Sequence, residues 1–206
     1  YHSITKELPE GDERKSLTMS SDAEKYRIAK EQQEVFRDAI KHCMDGNVAE
    51  LEKLVKDFLA KNSTYNAEEF FTGFQSEGRT LLHIAASGGH PEVFNFIIGK
   101  SKSPKKFANL KDNKGFTPII NATIGESNDI INTLLQLGAD VNARNNDGAS
   151  AIHFAAGDGS VPRLALLHSA GAKLDEMSQS GSPLHWAAGK GRSEAIKFLI
   201  EKIQEA

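Results

Sequence analysis

The chain has 206 residues, 39% of them hydrophobic, and carries 25 lysines and arginines against 28 aspartates and glutamates, a formal net charge of −3. This is enough apolar content for a substantial core in a soluble globular chain, and it leaves no overall basic field for nucleic acid or an anionic membrane. No apolar run approaches the ~20 residues of a membrane span, the first residues given lack the basic-then-apolar layout of a signal peptide, and the single cysteine, Cys43, excludes an internal disulfide and a multi-thiolate zinc site; a cytoplasmic or nuclear setting is expected.

Residues 1–19, with "ELPEGDERKS", are charged and aperiodic and read as a flexible segment or leader, Met19 being a candidate natural start. Residues 20–77 read as an N-terminal helical cap. Its first helix begins near Ser20 or Ser21, with Asp22 and Glu24 favouring the positive end, and carries a mainly apolar stripe of Tyr26, Ala29, Gln33, Phe36, Ile40 and Cys43. Asp45-Gly46-Asn47 breaks it, and a second helix follows with Leu51, Leu54, Val55 and Phe58 on one face. "NSTYNAEEFFTGFQSE" then bridges onward, its Phe70, Phe71 and Phe74 expected to pack over this helix pair rather than hold a ligand.

From residue 78 a pattern repeats: "GRTLLHIAASGGH" at Gly78, "GFTPIINATIGES" at Gly115, "GASAIHFAAGDGS" at Gly148 and "GSPLHWAAGKG" at Gly181. His83, Ile120, His153 and His185 hold one phase, with steps of 37, 33 and 32 residues by subtraction. Each copy continues into apolar residues at three- and four-residue spacing, as in Val93, Phe94, Ile97 and Ile98 or Ile130, Ile131, Leu134 and Leu135. Thr80, Thr117, Ser150 and Ser182 stand where a hydroxyl can cap a first helix, Pro118 and Pro183 fit its first turn, and Gly89, Gly159 and Gly191 fit the left-handed residue that ends it. Paired alanines such as Ala85-Ala86 and Ala155-Ala156 leave room for close helix contact.

"GFTPI", "SPLHWAA", "LLHIAASGGH" and "LLQLGADVNARNNDG" closely resemble the ankyrin repeat unit over residues 78–206, with copies at 78–114, 115–147, 148–180 and 181–206. The helices broken at Asp45-Gly46-Asn47 look like a degenerate first unit of the same kind. The resemblance implies an all-α solenoid of stacked antiparallel helix pairs joined by hairpin loops, with an extended N-terminal capping helix. The absence of a clearly polar outer face in "FLIEKIQEA" makes a fragment or domain of a longer protein the expectation.

The copies depart from the family pattern at three places. The second has Ile120 for the histidine and Glu126 for the turn glycine, Gly125 standing one place early, so a distorted inter-helix turn is expected. The third ends "AGAKLDEMSQS", one residue short, with Lys173 and Asp175 replacing the Asp and Asn of "GADVN", so an irregular hairpin is expected. "GKSKSPKKFANLKDNK" lengthens the first step and carries Lys100, Lys102, Lys105 and Lys106; it reads as a protruding basic loop, a solvated insertion or else a contact for an acidic or phosphorylated partner, with Ser103-Pro104 a candidate phosphorylation site.

The histidines recur with the architecture, which argues against chemistry. Equivalent residues of neighbouring repeats are held about 8–10 Å apart at the helix axes, whereas a shared zinc needs ring nitrogens about 3–3.5 Å apart; no metal is expected. Ser150, His153 and Asp158 can be drawn as a triad, but the first two are repeat-start residues, and the glycine-rich pieces lack the phosphate-loop pattern. No enzyme activity and no cofactor are expected. "NST" at Asn62 and "NAT" at Asn121 read as chance glycosylation matches, while the leucine-then-DVN sequence resembles hairpins modified by asparaginyl hydroxylases, making Asn142 a conceivable substrate.

Binding remains, and the family resemblance implies a concave surface of hairpin tips and exposed first-helix faces holding one or more partner proteins. Mapped onto this chain, that surface comprises Arg79, Ser87, Gly88, Phe116, Ile124, Arg144, Asn146, Ala149, Asp158, Gln179 and Lys190. Phe116 is the expected anchor, because the repeat does not require an aromatic at a hairpin tip, although folding back onto its own hairpin is an equal alternative. A monomeric interaction module is the leading expectation. The alternatives are a targeting or regulatory domain of a larger protein, or a receptor for an anionic ligand through the Lys100–Lys106 loop.

Overall fold

The computed structural model describes residues 30–31, 33–73 and 77–205. The expectations for residues 1–19, the helix start at Ser20 or Ser21, Tyr26, Ala29 and Phe74 lie outside the described residues. The chain divides into two compact units, Tyr1–Asp38 and Ala39–Ala206. In the first, every described residue is helical, with Phe36 half-buried and Gln33 exposed.

The second unit is a stack of helix pairs. Helix α1 (39–44) and α2 (Val48–Lys61) form the first pair. Gly46 turns between them at φ +73°, and Asn47 caps α2 by accepting the Glu50 N–H at 3.3 Å. Cys43, Leu51, Val55 and Phe58 are buried as the helical period requires, while Leu54 and Ile40 are half-buried. Helix α3 (Ala67–Gly73) lays Phe70 and Phe71 over this pair, with ring centroids 5.0 Å from Phe58 to Phe70 and 6.1 Å from Phe71 to Phe96, all edge-on. Edge-on rings satisfy the aromatic quadrupoles while filling space, which is the packing role expected of this cluster.

The repeats follow as α4 (Leu81–Gly88) with α5 (Pro91–Gly99), α7 (Pro118–Ile124) with α8 (Asn128–Gln136), α9 (Ala151–Asp158) with α10 (Val161–Ser169), and α11 (Pro183–Gly189) with α12 (Ser193–Gln204). Helix α6 (Pro104–Ala108) lies in the long insertion. Helices this short are unstable alone, so stacking must hold them. The first helices pack in series, α4 on α7, α7 on α9 and α9 on α11, burying Leu81, Leu82, Ile119, Ile120 and Ile152; the second helices bury Phe94, Ile97, Ile130, Ile131, Leu134, Leu164 and Leu167. Each such side chain contributes about 1.5–3 kcal/mol by leaving water. No strand and no helix long and apolar enough to cross a membrane occur among the described residues.

The second repeat solves its turn by dividing one residue's work between two. Gly89, Gly159 and Gly191 end their first helices at φ 74°, 90° and 66°, whereas in the second repeat Glu126 takes that left-handed conformation at φ 58°. Gly125 keeps an ordinary φ of −77°, but a Cβ there would stand 2.6 Å from the Ser87 carbonyl oxygen and 2.7 Å from that of Ala86. Close approach to the preceding repeat explains why the glycine sits one place early.

The hairpins are tied to one another along the stack. The amides of Asn113, Asn146 and Gln179 donate to the carbonyls of Glu77, Lys114 and Asp147 at 2.9, 2.9 and 2.8 Å. Asp112 and Asn145 close five-residue loops through side-chain oxygens that accept from Phe116 and Ala149 amides at 2.8 Å each. The shortened third hairpin closes instead on Ser178, whose amide and hydroxyl both donate to the Gly181 carbonyl at 3.0 and 2.7 Å.

Candidate functional site

The repeated histidines hold the frame. Thr80, Ser150 and Ser182 bring their hydroxyls within 2.9, 3.1 and 2.8 Å of Nδ1 of His83, His153 and His185, and the same nitrogens accept the three residues' backbone N–H groups. An amide can only donate, so Nδ1 is the acceptor and Nε2 carries the proton. Nε2 of His83 then donates to the Leu110 carbonyl and that of His153 to the Glu176 carbonyl, both at 3.0 Å. Burial pushes both imidazoles below the ordinary histidine pKa, and the carbonyl bonds only partly oppose it. The hydroxyls therefore serve the imidazole rather than a bare helix N–H alone.

These contacts leave no triad. His153 has both nitrogens engaged, and Asp158 binds the Arg163 guanidinium at 2.7 Å instead of orienting the ring. Cys43 is buried and its thiol is pushed up to about 12, which suppresses the thiolate.

Several residues expected at a partner surface are occupied within the chain. Arg79 spans two repeats, reaching Ser87 Oγ at 3.4 Å and Asn121 Oδ1 at 3.3 Å. Arg144 joins neighbouring hairpins, donating to the Gly148 carbonyl at 2.8 Å and to the Met177 carbonyl, with Glu176 3.7 Å away. Asn146 adds a side-chain bond to the Asn113 carbonyl at 2.9 Å. Gly88 lies close against the first helix pair, where a Cβ would stand 3.0 Å from the Cys43 carbonyl oxygen. Ala149 corrects the mapping: it is 1% exposed and offers no surface, because the Asn145 loop folds over it. Gln179 is exposed at its tip, while its amide serves the hairpin tie.

What remains open is a groove along α7, α9 and α11. Phe116 is half-buried, and its ring packs 5.8 Å from Phe154 of the next repeat; Phe154 in turn lies 5.1 Å from Trp186 of the repeat after. The expected choice between partner anchor and own-hairpin packing misses this third arrangement, an aromatic ladder across three repeats. Trp186 is oriented by its indole N–H, which donates to Ser178 Oγ at 3.1 Å. Ile124, 46% exposed, Phe154, Trp186 and Lys190 line a cleft of about 190 Å³, with Asp158 and Arg192 at its rim. Phe154 and Trp186 escaped the sequence mapping, yet a signal existed: they follow the histidine position directly, where the earlier copies have Ile84 and Asn121.

The lysine insertion is less loose than its composition suggests. Phe107 is 3% exposed and Ala108 is fully buried, so α6 is pinned and the protruding-loop expectation is corrected. Asn109 links the insertion to the second repeat by donating to the Gly138 carbonyl at 3.1 Å and accepting the Asp140 N–H at 2.9 Å. Lys102, Lys105 and Lys106 stay exposed, Lys100 sits 5.3 Å over the Phe96 ring, and an open depression of about 830 Å³ is lined by Lys105, Lys106 and Lys111 together with exposed Ser103. Asn142 is engaged at both amide atoms, donating to the Gly171 carbonyl and accepting the Lys173 N–H, each at 3.0 Å.

A family model described as ankyrin repeats (3 copies) matches residues 42–145 and 127–206, beginning within the degenerate first unit. The chain is 27% identical over 150 residues to the nuclear factor NF-kappa-B p105 subunit of Gallus gallus, covering 71% of this chain and 14% of that protein. It is 30% identical over 131 residues to alpha-latrotoxin-Lh1a of Latrodectus hasselti, covering 62% and 10%. It is 33% identical over 132 residues to BCL-6 corepressor-like protein 1 of Homo sapiens, covering 64% and 7%, so the chain spans only a small part of the length of these relatives. Serial helix pairs, the histidine frame and a family match over most of the sequence agree: the chain belongs to the ankyrin repeat family, whose repeats generally act as non-enzymatic modules for protein–protein interaction.

Proposed function

We propose that this chain is a non-catalytic module that holds a partner protein on the concave groove of its second, third and fourth repeats. The observation that carries this reading is the half-exposed ladder Phe116–Phe154–Trp186 beside exposed Ile124. The histidine frame already supports the stack, and large apolar side chains facing outward in a row are the usual centres of interface energy, worth about 2 kcal/mol or more each as hot spots. Phe116, Ile124, Asp158, Lys190 and the exposed tip of Gln179 make contact in this reading, with Phe154 and Trp186 added. Arg79, Ser87, Gly88, Arg144 and Asn146 act by fixing the helices and hairpins that present them.

Affinity capture with the chain, followed by calorimetry on the partner recovered, tests the assignment. Ile124→Glu, Phe116→Ala and Trp186→Ala weaken binding while the far-ultraviolet circular dichroism stays helical. Retention of full affinity by all three variants overturns it.

A second reading gives the lysine insertion its own acidic partner or anionic ligand. It is favoured by the buried Phe107 and Ala108, which hold Lys105 and Lys106 on a fixed turn instead of a solvated loop. Lys105→Glu with Lys106→Glu then removes a contact that the groove variants leave intact, and phosphorylation at exposed Ser103 would oppose it. Asn142 serves as a hydroxylation site in this scheme only where its hairpin opens, since its amide is engaged. The chain acts as a monomer in the cytoplasm or nucleus, its lone free cysteine fitting a reducing compartment. Service as a targeting or regulatory part of a larger protein fits the small share of each relative that it matches.

A further inference from the structure

We infer that the partner segment seated in this groove presents one large apolar side chain flanked by a carboxylate. The inference rests on the groove reading above and adds the chemistry of its occupant. At about 190 Å³ the cleft is smaller than the ~300–1,000 Å³ of small-molecule sites, so it suits a single side chain delivered by a protein. Gly157 opens its floor: a Cβ there would stand 3.2 Å from Trp186 Cε3 and 3.8 Å from Lys190 Cδ. The equivalent positions in the first two repeats carry Ser87 and Ile124, and Gly189 of the fourth faces nothing within 4 Å, so it is at Gly157 that the absent side chain leaves a recess beside the Trp186 ring.

The charge at the rim is asymmetric. Asp158 is bound by Arg163 at 2.7 Å, and Glu126 lies 3.7 Å from the same guanidinium. Lys190 and Arg192, which line the same cleft, have no ion-pair partner among the described residues; Arg192 spends its Nε–H on the Gly157 carbonyl at 3.1 Å and leaves its terminal nitrogens open. The anions are answered from within and the cations are not, so the complementary ligand brings the carboxylate.

The test is selection of a random-peptide phage library on the full chain, with the enriched consensus peptide synthesised and its affinity read by fluorescence anisotropy. The expected consensus pairs Leu, Ile, Met, Phe or Trp with a neighbouring Asp or Glu. Its affinity falls about tenfold with Lys190→Glu and similarly when the peptide carboxylate becomes an amide, declines with ionic strength, and is abolished by Ile124→Glu. A consensus that needs Ile124 but has no carboxylate and ignores Lys190→Glu overturns this inference and leaves the groove reading standing. Peptides that bind the Ile124→Glu chain as well as the unaltered one overturn both, and a selection without enrichment overturns the inference.

Discussion

The Nε2–H of His153 donates to the carbonyl of Glu176 at 3.0 Å, and Nδ1 of the same ring accepts from the Ser150 amide at 3.2 Å. One buried side chain thus ties the start of α9 to the hairpin that leads into α11. His153→Leu keeps the volume but orphans an amide, a hydroxyl and a carbonyl, so it costs about 2–3 kcal/mol. A drop of that size in the urea unfolding free energy, with helicity retained in water, is the expected result.

The same histidines set a pH dependence. Burial lowers the folded pKa of His83 and His153 below the ordinary 6.5, so between the two values the unfolded chain binds protons that the folded chain refuses. Stability from these groups is complete above 6.5 and is lost as pH falls below it towards the folded values. The urea midpoint therefore declines on acidification through this window, and His83→Gln with His153→Gln flattens the decline. An unchanged slope in the double variant would count against the frame.

Thr117 is the capping residue without a cap. Ile120 replaces its histidine, and Thr117 Oγ1 is buried with no hydrogen-bond partner. Thr117→Val removes an unmet polar group and leaves stability within about 0.5 kcal/mol or improves it, whereas Thr80→Val breaks the His83 contact and costs about 1–2 kcal/mol. Parallel thermal melts of the two variants read the contrast directly.

The glycines divide in the same way. Gly125→Ala pushes a Cβ into two backbone oxygens that cannot yield, and a loss of about 1–3 kcal/mol follows. Gly99→Ala meets nothing within 4 Å at the end of α5 and gains about 0.4–1 kcal/mol by restricting the unfolded chain. Glu126→Gly relieves a left-handed non-glycine residue and is stabilising by about 1 kcal/mol, since the ion pair it gives up is long at 3.7 Å and the buried Arg163 keeps its 2.7 Å contact with Asp158. Calorimetric unfolding of the three variants checks the order.

Much of this was legible in the chain itself because a repeat states its local rules several times. A hydroxyl three residues before a histidine, paired alanines and a glycine stop specify a short helix wherever they recur, and the helical period of Ile130, Ile131 and Leu134 specifies which face is buried. Those are short-range relations, and four copies separated them from chance. The departures were visible too, but not their consequences: that Glu126 would take the left-handed turn, or that Phe107 would pin the lysine segment, depends on what the next repeat places opposite. The groove was decided at that longer range. Arg79 and Arg144 sit at positions suited to a partner, yet their guanidinium groups reach acceptors 33 to 42 residues away in sequence. Phe154 and Trp186 read singly as ordinary helix positions and become a ladder only when stacking brings their rings 5.1 Å apart. Sequence determined the repeating unit, because its hydrogen bonds and periodicity are local; tertiary structure decided which side chains remain free, because each one's partners come from its neighbours in the stack.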